Sequence, residues 1–222
     1  MAQWTLRKGL EVYALLEEKG KAEALTAKIG LKKEELANWR IVAEKMRLRR
    51  INDLVLLQFD GFLQQKEVDL SAYRHNPDAF FKDFSWEQIT STQVLKQPDV
   101  IMLLYLLGDQ YTLEEKIANW EFYEPKTLHH SSLGPAIHAV FATEIGQNEA
   151  AYRYFLDAAE IDLNNKLRNS EAGLHAATQG GIWQAVVNGF GGVRLKDGGL
   201  QIAPSLPEHW KKVSFHLIYQ AV

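Results

Sequence analysis

Apolar residues recur three and four positions apart along most of this chain, and that periodicity constrains its fold more than any other feature. Residues at this spacing share one face of an α-helix, so the repeats predict helices with one buried side. The pattern is clear in Trp4–Leu16 and again in Lys32–Arg50. Two later helices are predicted to begin at Ser85 and Thr112, each followed three residues on by the Gln or Glu of a capping box. The sequence therefore predicts a mainly α fold.

Further segments predict helices that are more deeply buried. Val100–Leu107 is apolar on every side, which favours a helix surrounded by protein. Leu133–Ile145 and Asn148–Ile161 are typical of an adjacent helical pair. Another helix is predicted from Ser170 or Glu171 towards Val187, with an interruption at Gly180-Gly181, because each glycine costs about 1 kcal/mol in a helix interior.

Beyond residue 190 the composition changes towards glycine, proline and short apolar runs. Val193–Leu195 and Leu200–Ile202 are separated by a turn-forming Asp-Gly-Gly sequence, and Val213–Ile218 alternates as a strand does. We therefore predict a helical segment over residues 1–190 and the beginning of a small β region over residues 191–222.

Charge and composition exclude several classes of function. The formal net charge is -3, whereas nucleic-acid binding needs a basic surface that releases counterions. The chain has no cysteine, which excludes disulfides and thiolate metal sites, and no histidine spacing predicts another metal site. No apolar segment is long enough to span a bilayer. We expect a soluble cytoplasmic protein with no metal, and with neither nucleic acid nor a membrane as its partner.

The first candidate binding segment is Lys96-Gln97-Pro98-Asp99, directly before the buried helix. Lysine and glutamine donate hydrogen bonds suited to sugar hydroxyls, and polar groups this close to a buried helix need partners. Capping of the helix by Asp99, with Lys96 in water, is the alternative.

The second candidate segment is His129-His130-Ser131-Ser132, at the predicted start of a helix. Free N–H groups and the helix dipole favour an anion at such a position. Capping of that helix by the two serines is the alternative.

The third candidate segment is Gly173–Gln184, which contains His175 and the pair Gly180-Gly181. Paired glycines permit the close approach of either a ligand or a neighbouring helix. His175 is correspondingly either a ligand-binding residue or a structural histidine.

In content and order, these segments resemble the maltose, kojibiose and trehalose phosphorylases of glycoside hydrolase family 65. That family has a Lys-Gln-x-Asp-Val, a Tyr-Glu-Pro-x-Thr-x-His-x-Ser-Ser-Leu and a Gly-x-His-Ala-Ala-x-x-Gly-Gly-x-Trp-Gln segment, and this chain has all three. The similarity extends from the first helix through Gln58–Phe62 to the glycine-rich β start. The resemblance implies part of an (α/α)6 barrel, followed by the first strands of a small β region.

The resemblance also implies which residues bind the substrates. Lys96 and Gln97 would contact the glucosyl unit of a disaccharide. Inorganic phosphate is implied as co-substrate, with no other cofactor, and the residues that would hold it are Ser131, Ser132, His175 and the backbone at Gly180 and Gly181. Phosphate would attack the anomeric carbon while a carboxylic acid protonates the departing oxygen on the other face, as in an inverting hydrolase. A protonated His175 would strengthen the phosphate site.

Some positions depart from the family pattern. Pro98, Lys126, His130, Gly134 and Gln179 stand where the family has a small residue, Arg, Asp, Ser and Met. The family's general acid is a Glu in an Asp-Glu pair just upstream of the first helix, so it is expected upstream of Met1. No residue of the chain is therefore assigned as the acid, and Glu124 is expected to orient a neighbour. We expect a chain truncated at both ends, with very little activity by itself.

Three functions remain open from the sequence. The first is part of an inverting phosphorylase that converts an α-linked glucose disaccharide and phosphate into β-glucose 1-phosphate. The second is a trehalose-type hydrolase of the same family, which needs a carboxylate base where phosphate would bind. The third is a non-catalytic helical fragment from an interrupted gene. Beyond the substrates, the expected partner is a second copy of the chain or the remaining part of the barrel.

Overall fold

The chain folds into two compact units, Met1–Arg49 and Arg50–Val222. The structure is a computed structural model, and it describes residues 1–74, 76–196 and 198–219. Helices dominate both units, which confirms the predicted mainly α fold.

The first unit is a group of three helices. They are α1 (Ala2–Glu18), α2 (Ala22–Ile29) and α3 (Lys33–Lys45). α1 packs along α3 at Gly9, where a Cβ atom would lie only 3.1 Å from the ring of Trp39. The absence of a side chain at this position therefore sets how closely the two helices approach.

The second unit combines helices with two short antiparallel sheets. Its strands are β1 (Arg50–Ile51), β2 (Val55–Leu56), β3 (Val193–Lys196) and β4 (Gly199–Ile202). Its helices are α4 (Pro77–Asp83), α5 (Trp86–Thr90), α6 (Asp99–Leu106), α7 (Leu113–Tyr123), α8 (Gly134–Glu144), α9 (Asn148–Leu163) and α10 (Ala176–Gln184). The capping boxes predicted at Ser85 and Thr112 are present and begin α5 and α7.

Helix α8 lies at the centre of the core. Every residue from Gly134 to Ala142 is buried. α9 packs along α8, and the two are connected through Gly146, whose φ of 76° allows the chain to reverse. α6 and α7 complete this core with Leu104 and Trp120. The helical pair that the sequence predicts is therefore confirmed. The prediction that α6 is surrounded by protein is wrong: Ile101 and Leu104 face the core, whereas Leu106 is 55% exposed, because apolar residues on every side do not determine how many neighbours a helix has.

Helix α10 differs from its prediction in its first residue and in its continuity through the glycine pair. It begins at Ala176 rather than Ser170, because Gly173 has a φ of 127° that no helix can contain. It also continues through Gly180-Gly181 without interruption and leads into a π-helical turn at Ala185–Phe190. Contacts with α8 and α9 compensate for the poor helix propensity of the two glycines.

The β region begins with one hairpin. β3 and β4 pair antiparallel in the register Val193↔Ile202 and Leu195↔Leu200. The strand predicted at Val213–Ile218 is wrong: this segment pairs with no other strand in the part of the chain that the structure describes. Alternation alone does not produce a strand, because a strand needs a hydrogen-bonded neighbour.

None of the helices among the described residues has the length and apolar character needed to cross a lipid bilayer.

Candidate functional site

The three candidate segments meet at the N-terminal ends of α6, α8 and α10. The hydroxyl of Ser131 donates a hydrogen bond to Oε1 of Gln97 at 3.2 Å, which joins the first segment to the second. The hydroxyl of Thr178 donates to the backbone carbonyl of Ser132 at 2.7 Å, which joins the third segment to the second. The tertiary fold thus collects into one place residues that are far apart in the sequence.

The two serines do not cap α8 in the usual way. The N-cap residue of α8 is Leu133, and no side chain accepts a hydrogen bond there. Ser131 is buried, and its oxygen accepts from the N–H of Leu133 at 3.3 Å while its proton goes to Gln97. Ser132 is half-buried, and its hydroxyl bonds to no other residue in the described ranges. The hydroxyl of Ser132 is therefore available to a ligand.

The Lys96–Asp99 segment presents two donors. Lys96 is exposed and makes no ion pair within the described part of the chain. Gln97 uses its carbonyl oxygen for Ser131, which leaves its amide protons available. Asp99 does not cap α6: it is the first residue of that helix, and its Oδ2 accepts from Nε2 of Gln58 at 2.8 Å.

His175 is held by a carboxylate that the sequence analysis did not identify. Asp162, in the last turn of α9, places Oδ1 2.7 Å from Nδ1 of His175, and its Oδ2 accepts from the backbone N–H of His175 at 3.0 Å. The hydrogen bond from His175 lowers the pKa of Asp162, so this carboxylate is ionised at neutral pH. The two residues are 13 positions apart, and nothing in the local sequence pattern indicates their pairing.

The two glycines of α10 have different surroundings. A Cβ atom on Gly181 would lie 2.6 Å from the Cβ of Ala136 on α8, so this glycine permits close helix packing. A Cβ atom on Gly180 would meet nothing within 4 Å, and the residue is exposed. Of the pair, Gly180 has an open face, whereas packing accounts for Gly181, and the backbone N–H of Gly180 bonds within α10.

A hydrogen-bond network around Glu124 supports the segment that carries the serines. Glu124 forms two hydrogen bonds with the guanidinium of Arg74, at 3.0 and 3.1 Å. It also accepts a hydrogen bond of 2.5 Å from the hydroxyl of Tyr154. Because that hydroxyl has one proton, which goes to the carboxylate, Nε2 of His129 donates to the Tyr154 oxygen at 2.9 Å. Glu124 thus orients its neighbours, as the sequence predicts.

Burial determines the protonation states in this network. Burial lowers the pKa of His129 well below its usual value and that of His138 to about 4, so both rings are neutral at pH 7. Burial also raises the pKa of Glu124, but the hydrogen bonds from Arg74 and Tyr154 outweigh it and lower the pKa overall. Glu124 is therefore an ionised carboxylate held inside the protein, and not a proton donor at neutral pH.

One departure from the family pattern has a visible partner. His130 places Nε2 3.0 Å from Oδ1 of Asp78, so a carboxylate is present beside the position where the family has its own Asp.

In the described ranges, no three His, Asp or Glu side chains are grouped as a metal ion requires.

The arrangement is suited to holding an oxyanion beside a polyol. Two hydrogen bonds join the N-terminal ends of α6, α8 and α10, and these ends carry the exposed Lys96, the unbonded hydroxyl of Ser132 and the oriented imidazole of His175. Backbone N–H groups and helix dipoles at such a position favour negative charge.

Comparison with known proteins gives the family. The model of the glycosyl hydrolase family 65 central catalytic domain matches residues 1–184, and that of the family 65 C-terminal domain matches residues 193–221. The chain is 48% identical to a kojibiose phosphorylase of Halothermothrix orenii, over 100% of this chain and 29% of that protein. It is 33% identical to a maltose phosphorylase of Bacillus subtilis, over 99% of this chain and 28% of that protein.

A solved structure agrees with the sequence relatives. A chain described as a candidate kojibiose phosphorylase from the human microbiome superposes with a TM-score of 0.81 at 29% identity, over 94% of this chain and 30% of that one. This likeness confirms the predicted fold, which is part of an (α/α)6 barrel followed by the first strands of a small β region. The chain spans about 29% of the length of the curated relatives that it matches over nearly its whole extent. From these matches, and from the three motifs gathered at one end of its helices, the chain belongs to glycosyl hydrolase family 65.

Proposed function

We propose that this chain supplies the phosphate-binding and glucose-binding residues of an inverting glycoside phosphorylase. The reaction joins inorganic phosphate to the anomeric carbon of an α-linked glucose disaccharide and releases β-glucose 1-phosphate and the second sugar. Phosphate is the co-substrate, and no other cofactor takes part. Four of the relatives that the chain matches are kojibiose phosphorylases, so kojibiose is the first disaccharide to test.

The hydrogen bond between Ser131 and Gln97 supports this proposal most directly. In it, a residue proposed to bind phosphate touches a residue proposed to bind glucose. Phosphate held at Ser132 and His175 would then be adjacent to the anomeric carbon, as a displacement on one face of the sugar requires. The positive ends of the helix dipoles would stabilise the charge on the phosphate oxygens.

The reaction also needs a carboxylic acid, which donates a proton to the departing sugar oxygen. We assign this role to no residue of the chain, because Glu124 is an ionised carboxylate paired with Arg74. We therefore expect the chain by itself to bind phosphate and glucose but to turn over disaccharides very slowly.

The first experiment measures binding and turnover of the chain. Inorganic phosphate at about 100 times its Kd is expected to stabilise the folded state by about 2.7 kcal/mol, read as a rise in Tm. Ser132→Ala should weaken this effect, whereas Ser71→Ala, a serine outside the site, should not change it. Phosphate-dependent release of glucose 1-phosphate from kojibiose, maltose, nigerose and trehalose is then assayed.

Two outcomes would replace the proposal. Turnover that does not depend on phosphate would favour the hydrolase of the same family. A Tm that neither phosphate nor glucose changes would favour a non-catalytic helical protein. Rapid phosphorolysis by the chain alone would support the phosphorylase proposal, but it would show that the proton donor lies among the residues of this chain.

A further inference from the structure

We propose that Asp162 is a positioning residue for phosphate binding: it orients the ring of His175 so that Nε2 meets the phosphate. The inference rests on the proposed function, because it takes His175 as a phosphate-binding residue. Asp162 lies in none of the three segments that the sequence singles out.

Two hydrogen bonds connect the carboxylate of Asp162 to His175. Both carboxylate oxygens of Asp162 bond to the same residue, one to the ring nitrogen at 2.7 Å and one to the backbone N–H at 3.0 Å. The side chain of Asp162 is 12% exposed and that of His175 is 18% exposed, so water competes little for these hydrogen bonds. The carboxylate of Asp162 therefore fixes the orientation of the His175 ring relative to its backbone, because rotation of the ring would break a hydrogen bond.

This contact determines which nitrogen a ligand meets. An ionised carboxylate has no proton to donate, so Nδ1 of His175 must carry the proton that is shared with Asp162. Nε2 is then the only ring nitrogen left for another group, and no residue in the described ranges bonds to it. His175 is the N-cap residue of α10, so its ring lies at the positive end of that helix dipole.

Asp162→Asn tests the proposal, because it removes the charge and keeps the shape. The matched control is Asp157→Asn on the same helix, whose carboxylate pairs with Lys166 instead. Inorganic phosphate is titrated into each protein by calorimetry, and the imidazole nitrogens of His175 are observed by 15N NMR. We expect Asp162→Asn to raise the Kd for phosphate about tenfold, as the loss of a hydrogen bond to a charged group does. Asp157→Asn should leave the Kd within twofold.

The NMR spectrum keeps the test valid even if Asp162→Asn is unstable. In the wild-type protein without phosphate, Nδ1 should be the protonated nitrogen, and phosphate should shift the Nε2 resonance most. Nε2 protonated and Nδ1 bare in the wild-type protein would overturn the proposal, and so would an unchanged Kd in a folded Asp162→Asn variant. Failure of the wild-type protein to bind phosphate would instead overturn the proposed function, and with it the role of Asp162.

Discussion

At the residue scale, the protein keeps two histidines neutral directly behind its candidate site. His138 is completely buried, and its Nδ1 donates to the carbonyl of Gly134 at 3.0 Å. His129 packs against it with ring centroids 4.5 Å apart. Nδ1 of His129 and Nε2 of His138 are both buried, and neither has a hydrogen-bond partner among the described residues. Protonation of either ring would place a charge in this apolar surrounding, which is costly.

The buried histidines predict a loss of stability in mild acid. The pKa of His138 is lowered from 6.5 to about 4 on folding, so between these values the unfolded chain binds the proton and the folded chain does not. Stability therefore rises with pH across this window and falls as the pH decreases from about 6.5 towards 4. We expect His138 alone to remove about 2 kcal/mol of unfolding free energy between pH 7 and pH 5.

Denaturant unfolding at pH 7, 6 and 5 measures this slope. His138→Gln should reduce the slope and leave the part that the buried His129 contributes, whereas His216→Gln, at an exposed position, should not change it. The ion pairs of Glu124 and Asp162 contribute mainly at the acid end of this range, because the pKa values of their carboxylates are lowered from 4.5 and 3.8 on folding. Equal stability at pH 7 and pH 5 would contradict the prediction.

At the element scale, α10 has two glycines with opposite roles. The backbone at Gly181 approaches α8 so closely that a methyl group would overlap Ala136, while Gly180 faces open space. Tight packing requires the glycine at position 181, whereas the open face at Gly180 is the candidate position for a ligand. The same dipeptide therefore separates a structural position from a candidate binding position.

Alanine substitutions should separate these roles. Gly181→Ala should destabilise the protein by about 1–3 kcal/mol, because overlap with α8 outweighs the gain in helix propensity. Gly180→Ala should stabilise it by as much as about 1 kcal/mol and weaken phosphate binding, since the added methyl group occupies the exposed face. Denaturant unfolding and phosphate titration of both variants check this. Equal effects of the two substitutions on stability would show that the contact with Ala136 does not control packing.

At the scale of the whole molecule, the β3–β4 hairpin presents one apolar face. The register places Val193, Leu195, Leu200 and Ile202 on the same side of the hairpin. Leu195 and Ile202 are 70% and 62% exposed, which is unusual for large apolar side chains on a single face. We therefore predict that this face associates with a second copy of the chain or with another part of the barrel.

Sedimentation velocity over a range of concentrations tests this association. We expect the wild-type chain to form larger species as its concentration rises. The double substitution Leu195→Ser and Ile202→Thr should reduce them, because it removes apolar surface from one face. Gln201→Ser, on the opposite face of the same strand, is the matched control. A monomer at every concentration in the wild-type chain would contradict the prediction.

Features that depend on neighbouring residues were predictable from the sequence: most helices, their capping boxes and the family motifs. The capping boxes at Ser85 and Thr112 and the helical pair joined at Gly146 were predictable because each involves residues close together in the chain. The strand predicted at Val213–Ile218 failed, since a strand depends on a partner that alternation does not reveal.

Contacts between distant side chains became visible only in the folded protein. Ser131 and Gln97 are 34 residues apart, and Glu124 meets an arginine 50 residues away. Asp162 was absent from every sequence pattern, yet it orients His175 across the junction of α9 and α10. Hydrogen bonds between distant residues depend on how helices pack, and packing is a property of the whole core and not of any local pattern.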